Sequence, residues 1–213
     1  MPPGNIFHIY NHANGRENLF AETKNYFFFL ERLSLHVLPV AQICAYCLMP
    51  NHFHLLVKIR QEEELNDYFQ QKQTQRDKTT TGAGVDHSCR VNDQQLLEQK
   101  VSKSFSNLFN SYTQAFNKMY GRKGSLFMQN MKREEVDSDG SFCKVVHYIH
   151  RNPVHHRFVN EIDQWPHTSY KLLLSKAPTK LERDYVLQVF GGLDWFIKYH
   201  QQPVDPKYKL IDG

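Results

Sequence analysis

Leu48-Met49-Pro50-Asn51-His52-Phe53-His54-Leu55-Leu56-Val57-Lys58-Ile59 decides how this chain is read. Pro50-Asn51 has the composition of a turn, and an alternating, β-prone run follows it. Side chains i and i+2 of a strand leave the same face, so His52 and His54 project together and can reach one metal ion. Phe53, Leu55, Val57 and Ile59 fall on the opposite face, where they can enter a core. Burial alone gives no reason to set two side chains that titrate near neutrality beside each other. Val40 to Leu48 reads as a strand as well, so the stretch predicts a β-hairpin closed at Pro50-Asn51.

Before the hairpin, Ile6 to Tyr10 reads as a short strand that leads into a polar turn at Asn14-Gly15-Arg16. Thr23 to Val37 is predicted to be helical and to end at Pro39. After the hairpin, residues 61–95 turn rich in Gln, Glu, Thr, Lys and Gly. Glu62 to Gln71 is expected to make a helical turn or two, and 74–92 reads as a flexible insertion within one domain. Leu97, Val101, Phe105, Leu108, Phe109, Tyr112, Phe116 and Tyr120 recur at spacings of three and four, which predicts a helix. Gly121-Arg122-Lys123-Gly124 ends it, and Ser125 to Val136 reads as extended.

Asp137-Ser138-Asp139 can cap a further helix whose apolar stripe is Phe142, Val145, Val146 and Ile149, with Pro153 as its stop. Short helices are expected around 168–175, 180–190 and 193–200. The order β-α-β-β-α-β-α followed by helices predicts an α+β fold, an antiparallel sheet with helices packed on it. Residues 1–213 are expected to form a single domain with a C-terminal helical extension over 165–213.

The composition supports a substantial core: 40% of the 213 residues are apolar, with 15 Phe and 11 Tyr. No stretch approaches the ~20 apolar residues of a membrane helix. Met1 to Asn5 lacks the basic and apolar regions of a signal peptide, so a cytoplasmic location is the expectation. A reducing compartment would keep Cys44, Cys47, Cys89 and Cys143 as thiols. The net charge of +4 permits a polyanionic partner without demanding one.

A second group of residues, His147-Tyr148-Ile149-His150-Arg151-Asn152-Pro153-Val154, carries the remaining chemistry. Tyr148 precedes Ile149 and so flanks the apolar stripe, while Asn152 lies four residues on, on the same helical face, beside Lys144 and Arg151. A phenol with a pKa near 10 is a weak nucleophile. It becomes useful when a metal neutralises the phosphate it attacks. The other reading of Tyr148 is an amphipathic side chain at a core edge. His150 either orients Asn152, contacts phosphate or sits satisfied at the surface.

Together these residues resemble the HUH family of single-tyrosine, single-strand DNA transposases, in particular the REP-associated tyrosine transposases. The resemblance is carried by Phe7-His8-Ile9, by Asn14 to Phe20, and by Tyr46 to Leu56 with its Met-Pro-Asn-His-x-His-Leu-Leu element. It continues through Phe116 to Phe127, Tyr148 to Val154, and Val189-Phe190-Gly191-Gly192. It implies a ferredoxin-like sheet with His52 and His54 on a central strand and Tyr148 on the helix packed over them. It also implies that His52 and His54 bind Mg²⁺ or Mn²⁺, and that Tyr148 attacks phosphorus to give a 5′-phosphotyrosine and a 3′-hydroxyl. Asn152 stands where many relatives carry a glutamine that completes the metal shell. Imidazole ligands suit Mn²⁺ better than Mg²⁺.

The implied partner is single-stranded or hairpin DNA. Arg16, Lys118, Arg122, Lys123, Lys132, Arg133, Lys144 and Arg151 are candidates for tracking its phosphates. Some relatives assemble their sites from two subunits, with the tyrosine helix supplied in trans, and the sequence leaves monomer or homodimer open. The chain departs from the family in its long 61–95 segment and in Phe127 to Arg133, where relatives often show a Trp-Gln-x-Arg-Phe-type run.

Three other readings use the same residues. A non-catalytic DNA-binding descendant would keep the fold for recognition. A phosphohydrolase would use metal-activated water and form no tyrosine adduct. A structural zinc site could draw on Cys44, Cys47, His52 and His54. The odd spacing of the two cysteines on a strand, however, points their thiols to opposite faces.

Overall fold

The computed structural model describes residues 1–79 and 93–205. Four strands, β1 (Ile6–His12), β2 (Ala41–Met49), β3 (His52–Ile59) and β4 (Lys132–Val136), form a wholly antiparallel sheet in the order β2-β3-β1-β4. Helices α1 (Thr23–His36), α2 (Glu62–Thr79) and α3 (Asp93–Tyr120) precede β4. Helices α4 (Asp139–His155), α5 (Tyr170–Leu174), α6 (Arg183–Phe190) and α7 (Leu193–His200) follow it. Strand order and connectivity are those of a ferredoxin-like sheet, as expected. Among the described residues no helix is long and apolar enough to cross a membrane.

The predicted hairpin is present, with Met49 opposite His52 across the two-residue turn. Both faces of β3 are covered. Phe53, Leu55, Val57 and Ile59 pack in one apolar cluster with Phe29 and Leu33 of α1 and with Val101, Phe105, Leu108 and Tyr112 of α3. Leu56 joins a second cluster on the other face, with Val145, Val146 and Ile149 of α4 and with Val186 and Phe196 of the last two helices. The result is three layers, with α1 and α3 on one side of the sheet and α4 on the other.

Local chemistry sets the ends of these elements. The Asn25 side-chain oxygen accepts from the backbone N–H groups of Ala21 and Glu22, at 2.9 and 2.8 Å, and so satisfies the entrance to α1. Ser138 caps α4, its hydroxyl accepting from the Ser141 N–H. Tyr112, buried in the middle of α3, donates its hydroxyl to the Leu19 carbonyl at 2.6 Å and fixes the loop before α1.

Several boundaries differ from expectation. Pro153 lies inside α4, which runs on to His155; a proline so near the C-terminus removes only one ladder bond. Arg157, at φ 59°, is the first residue past α4 in the left-handed region. The extended run is shorter than Ser125 to Val136. Asn130 has φ 64°, and only Lys132–Val136 pairs as a strand, with a separate bridge at Ala13 and Phe127. The 74–92 insertion begins as helix, since α2 continues to Thr79, and its residues 80–92 lie outside the described ones.

The strand β2 carries a bulge between Ile43 and Ala45. The extra residue shifts the alternation, so Cys44 and Cys47 are both buried in the α4-side cluster. The sequence-based argument that these thiols face opposite ways therefore fails. Burial pushes the Cys44 thiol up to about 12. The outer edge of β2 is sealed by residues after α4: Leu48 N–H donates to the His167 carbonyl, Ser169 N–H to Tyr46, and Glu182 N–H to Ile43. Residues 167–182 of the expected extension are thus hydrogen-bonded to the sheet.

The packing yields a test on a single helix. Phe29 is fully buried against Phe20, Phe53 and Tyr112, whereas Phe27 is 64% exposed. Phe29→Ala is expected to destabilise the fold by about 3–5 kcal/mol in chemical denaturation. Phe27→Ala should stay within about 0.5 kcal/mol of the parent.

Candidate active site

Antiparallel register brings the site together. Tyr10 lies opposite His54 and His12 opposite His52 across β1 and β3, on the face that α4 covers. Helix α4 crosses β2 and β3 and sends Tyr148 and Asn152, one turn apart, down onto the histidines. The His52 Nε2 is 2.8 Å from Asn152 Oδ1. The Asn152 Nδ2 lies 3.4 Å from both His54 Nε2 and the Tyr148 hydroxyl. The Tyr148 ring meets His54 edge-on at 5.3 Å and His8 at 5.9 Å. Residues about a hundred positions apart thus converge on one amide.

Each imidazole is also held from behind. His52 Nδ1 is 2.9 Å from Asn51 Oδ1, and His54 Nδ1 is 3.0 Å from His8 Nε2. His12 stacks on His52 at 4.9 Å, and His156, just past the end of α4, meets it at 5.0 Å. His52 therefore faces an amide oxygen at both ring nitrogens. A neutral imidazole has one N–H to offer, so the second contact is met by a metal ion or by an amide that presents its NH₂ instead of its oxygen. Neighbouring ligands of a six-coordinate ion about 2.1 Å away stand about 3 Å apart. One pair of potential ligand atoms has about that spacing, His52 Nε2 and Asn152 Oδ1 at 2.8 Å.

The donor set of His52, His54 and the Asn152 amide thus fits a divalent ion, though all three donors are neutral and a phosphate would have to supply the charge. Among the described residues there is no group of three or more His, Cys, Asp or Glu side chains that could hold an ion. The set is two imidazoles and an amide, and it does not recruit Cys44 or Cys47. All four central side chains are buried, and Tyr148 is 1% exposed. This differs from the flanking position read from the sequence: Tyr148 faces the sheet instead of sitting at the edge of the apolar stripe.

The basic candidates separate into groups. Arg16, Lys118, Lys123 and Lys132 are exposed at the end of the sheet where His12 and His52 lie, Lys118 in the last turn of α3, Lys132 on β4 and the other two in loops. The Lys132 ammonium sits 5.7 Å over the Tyr10 ring, whose hydroxyl donates to Glu134. Arg122 is at the same end, but its guanidinium is engaged with Glu17, Asn117 and the Ser125 carbonyl, bracing the 14–18 loop. Arg133 points to the opposite face of the sheet, into a groove of about 690 Å³ beside Ser106 and Asn110 of α3. Lys144 pairs with Asp205 at 3.0 Å, and Arg151 donates to the His200 carbonyl. These last two tie α4 to the C-terminal segment.

His150 does none of the things expected of it. It is fully buried and turned away from Asn152, with Nδ1 2.9 Å from His200 Nε2 and Nε2 2.8 Å from the Ser169 hydroxyl. His200 Nδ1 in turn donates to the Phe196 carbonyl. Burial holds all three histidines of this layer low: His147 at about 4, His200 at about 3, and His150 well below its ordinary value. Their folded pKa values lie below the unfolded value near 6.5, so the unfolded chain binds more protons in the window between. Stability is therefore full above about pH 6.5 and falls as pH drops towards 4, each proton adding about 1.4 kcal/mol per pH unit. Thermal unfolding is expected to be flat from pH 8 to 7 and to drop steadily from 6.5 to 4.5, with a shallower drop in His200→Gln. An unchanged melting temperature down to pH 5 would contradict this.

No family profile matches the sequence, and no curated protein does. Among solved structures, the chain is similar to a REP-associated tyrosine transposase bound to a REP hairpin, with 15% identity, 84% of each chain covered and a TM-score of 0.49.

Proposed function

We propose that this protein is a metal-dependent DNA strand transferase that cleaves and rejoins single-stranded, hairpin-flanked DNA through Tyr148. The observation that carries this reading is the convergence of the Tyr148 hydroxyl, both HxH imidazoles and the Asn152 amide at one point.

Tyr148 Oη forms a bond to phosphorus as the P–O3′ bond breaks. The phenol proton is lost and the departing 3′-oxygen gains one. The products are a 5′-phosphotyrosine and a 3′-hydroxyl. The phosphodiester energy is kept in the covalent link, so attack by another 3′-hydroxyl reverses the step and joins strands without a nucleotide cofactor. His52, His54 and Asn152 would hold a Mg²⁺ or Mn²⁺ ion, whose contribution is to neutralise phosphate charge and raise the electrophilicity of phosphorus. Arg16, Lys118, Lys123 and Lys132, at the same end of the sheet, would follow the backbone of the strand.

The full burial of Tyr148 favours one other reading, a DNA-binding descendant that no longer cleaves. Cleavage requires the cover over Tyr148 to open to a phosphate; binding alone does not.

Incubation of a labelled single-stranded hairpin library with Mn²⁺, followed by a denaturing gel, separates the two. Catalysis predicts a protein–DNA adduct that disappears in Tyr148→Phe and His52→Ala and without metal. Retarded DNA with no adduct under any metal would select the binding descendant, and cleavage that survives Tyr148→Phe would select water as the nucleophile. Binding should also depend on salt. Lys132→Ala and Lys123→Ala are each expected to reduce the slope of log K against log salt by about 0.7, the value for one lost contact to a single strand.

A further inference from the structure

We infer that His8 is a positioning residue that sets the tautomer of His54 and so aims the His54 Nε2 lone pair at the Asn152–Tyr148 cluster. The inference deepens the metal-site reading proposed above.

His8 lies in the middle of β1, a central strand hydrogen-bonded on both sides, opposite Leu56 on one side and Glu134 on the other. It is the diagonal neighbour of His54 across the β1–β3 pair, and both side chains are fully buried. The two rings lie nearly parallel, 24° apart, with His8 Nε2 3.0 Å from His54 Nδ1. Tyr10 stacks on His8 at 4.9 Å, while the Tyr148 edge meets it from above. Strand, stack and edge contact leave the His8 ring little freedom to turn.

The protons then follow in sequence. Asn152 Nδ2 lies 3.4 Å from His54 Nε2 and can only donate, so that nitrogen presents its lone pair. This puts the His54 proton on Nδ1, donated to His8 Nε2, and the His8 proton on Nδ1, a buried nitrogen for which the described residues offer no hydrogen-bond acceptor. A histidine in water prefers the opposite tautomer, with the proton on Nε2. His8 supplies the acceptor that reverses this preference, since the bond made by one ring nitrogen decides what the other can do. Asn51 stands in the same relation to His52, with Oδ1 2.9 Å from Nδ1. Each imidazole of the HxH pair is thus backed by a different element, Asn51 from the turn and His8 from the neighbouring strand.

Two substitutions isolate the role. His8→Gln can place an amide oxygen near the former Nε2, whereas His8→Phe keeps a flat ring and removes the acceptor. The readouts are the tautomer of His54, from ring nitrogen and carbon shifts in the NMR spectrum of metal-free protein, and Mn²⁺ affinity, from the free-ion electron paramagnetic resonance signal without DNA. Thermal unfolding checks that each variant is folded.

Wild type is expected to show the Nδ1–H tautomer at His54. His8→Phe should show a mixture and bind Mn²⁺ about 10- to 100-fold more weakly, and His8→Gln should recover most of both. A wild-type His54 protonated on Nε2 would overturn the inference whether or not any variant folds. So would a His8→Phe protein with unchanged tautomer and Mn²⁺ affinity. If wild type shows the Nδ1–H tautomer, His8→Phe loses it, and neither protein binds Mn²⁺, the role of His8 stands and the metal reading of the site falls.

Discussion

Strand β3 is buried on both faces, and everything else in this molecule is arranged around that constraint. A strand has period two, so each residue of β3 commits its neighbours to opposite layers. Phe53, Leu55, Val57 and Ile59 turn towards α1 and α3, which sends His52 and His54 to the other side. That side could not be left to water once α4 packed there. Two buried imidazoles then require hydrogen-bonding partners, which come from Asn51 in the turn, His8 on β1 and Asn152 on α4. A slip of one residue between β1 and β3 would turn His8 to the other face and remove its contact with His54.

Much of this arrangement was readable from local pattern. The alternation after Pro50-Asn51 identified the hairpin and both of its faces, and the stripe from Leu97 to Phe116 marked a helix that does bury that side. Ser138 capped its helix as its residue type and position suggested. Tyr148 and Asn152 could be paired with each other because they are one helical turn apart. Their meeting with His52 and His54 rested on resemblance, since no local rule links residues a hundred positions apart.

What was missed has physical reasons. The bulge at Cys44 contains no glycine or proline to announce it, and one extra residue reversed the facing of a thiol. His8, Tyr10 and His12 alternate along β1 as His52 and His54 do along β3, a period-two signal that could have marked β1 as the second wall of the site. His150 pairs with His200 across fifty residues and two helices, a contact that depends on how α7 docks. Helix α2 outran its expected end because a polar helix leaves little apolar periodicity to read.

The two histidine layers show how burial serves different ends. Around His147, His150 and His200, burial holds the pKa values low, and the hydrogen bonds of His150 to His200 and Ser169 fasten the C-terminal segment to α4. Around His52 and His54 the same groups surround a phenol and an amide, and an acceptor oxygen faces each nitrogen of one ring. The central claim is that this second cluster does covalent chemistry on a phosphodiester through Tyr148. The most direct measurement is to trap the protein on a single-stranded hairpin with Mn²⁺, digest DNA and protein, and locate the residual nucleotide by tandem mass spectrometry. The account predicts a 5′-phosphonucleotide on the peptide that contains Tyr148, attached at that residue. Attachment at another tyrosine, or cleaved DNA with no modified peptide, would contradict it.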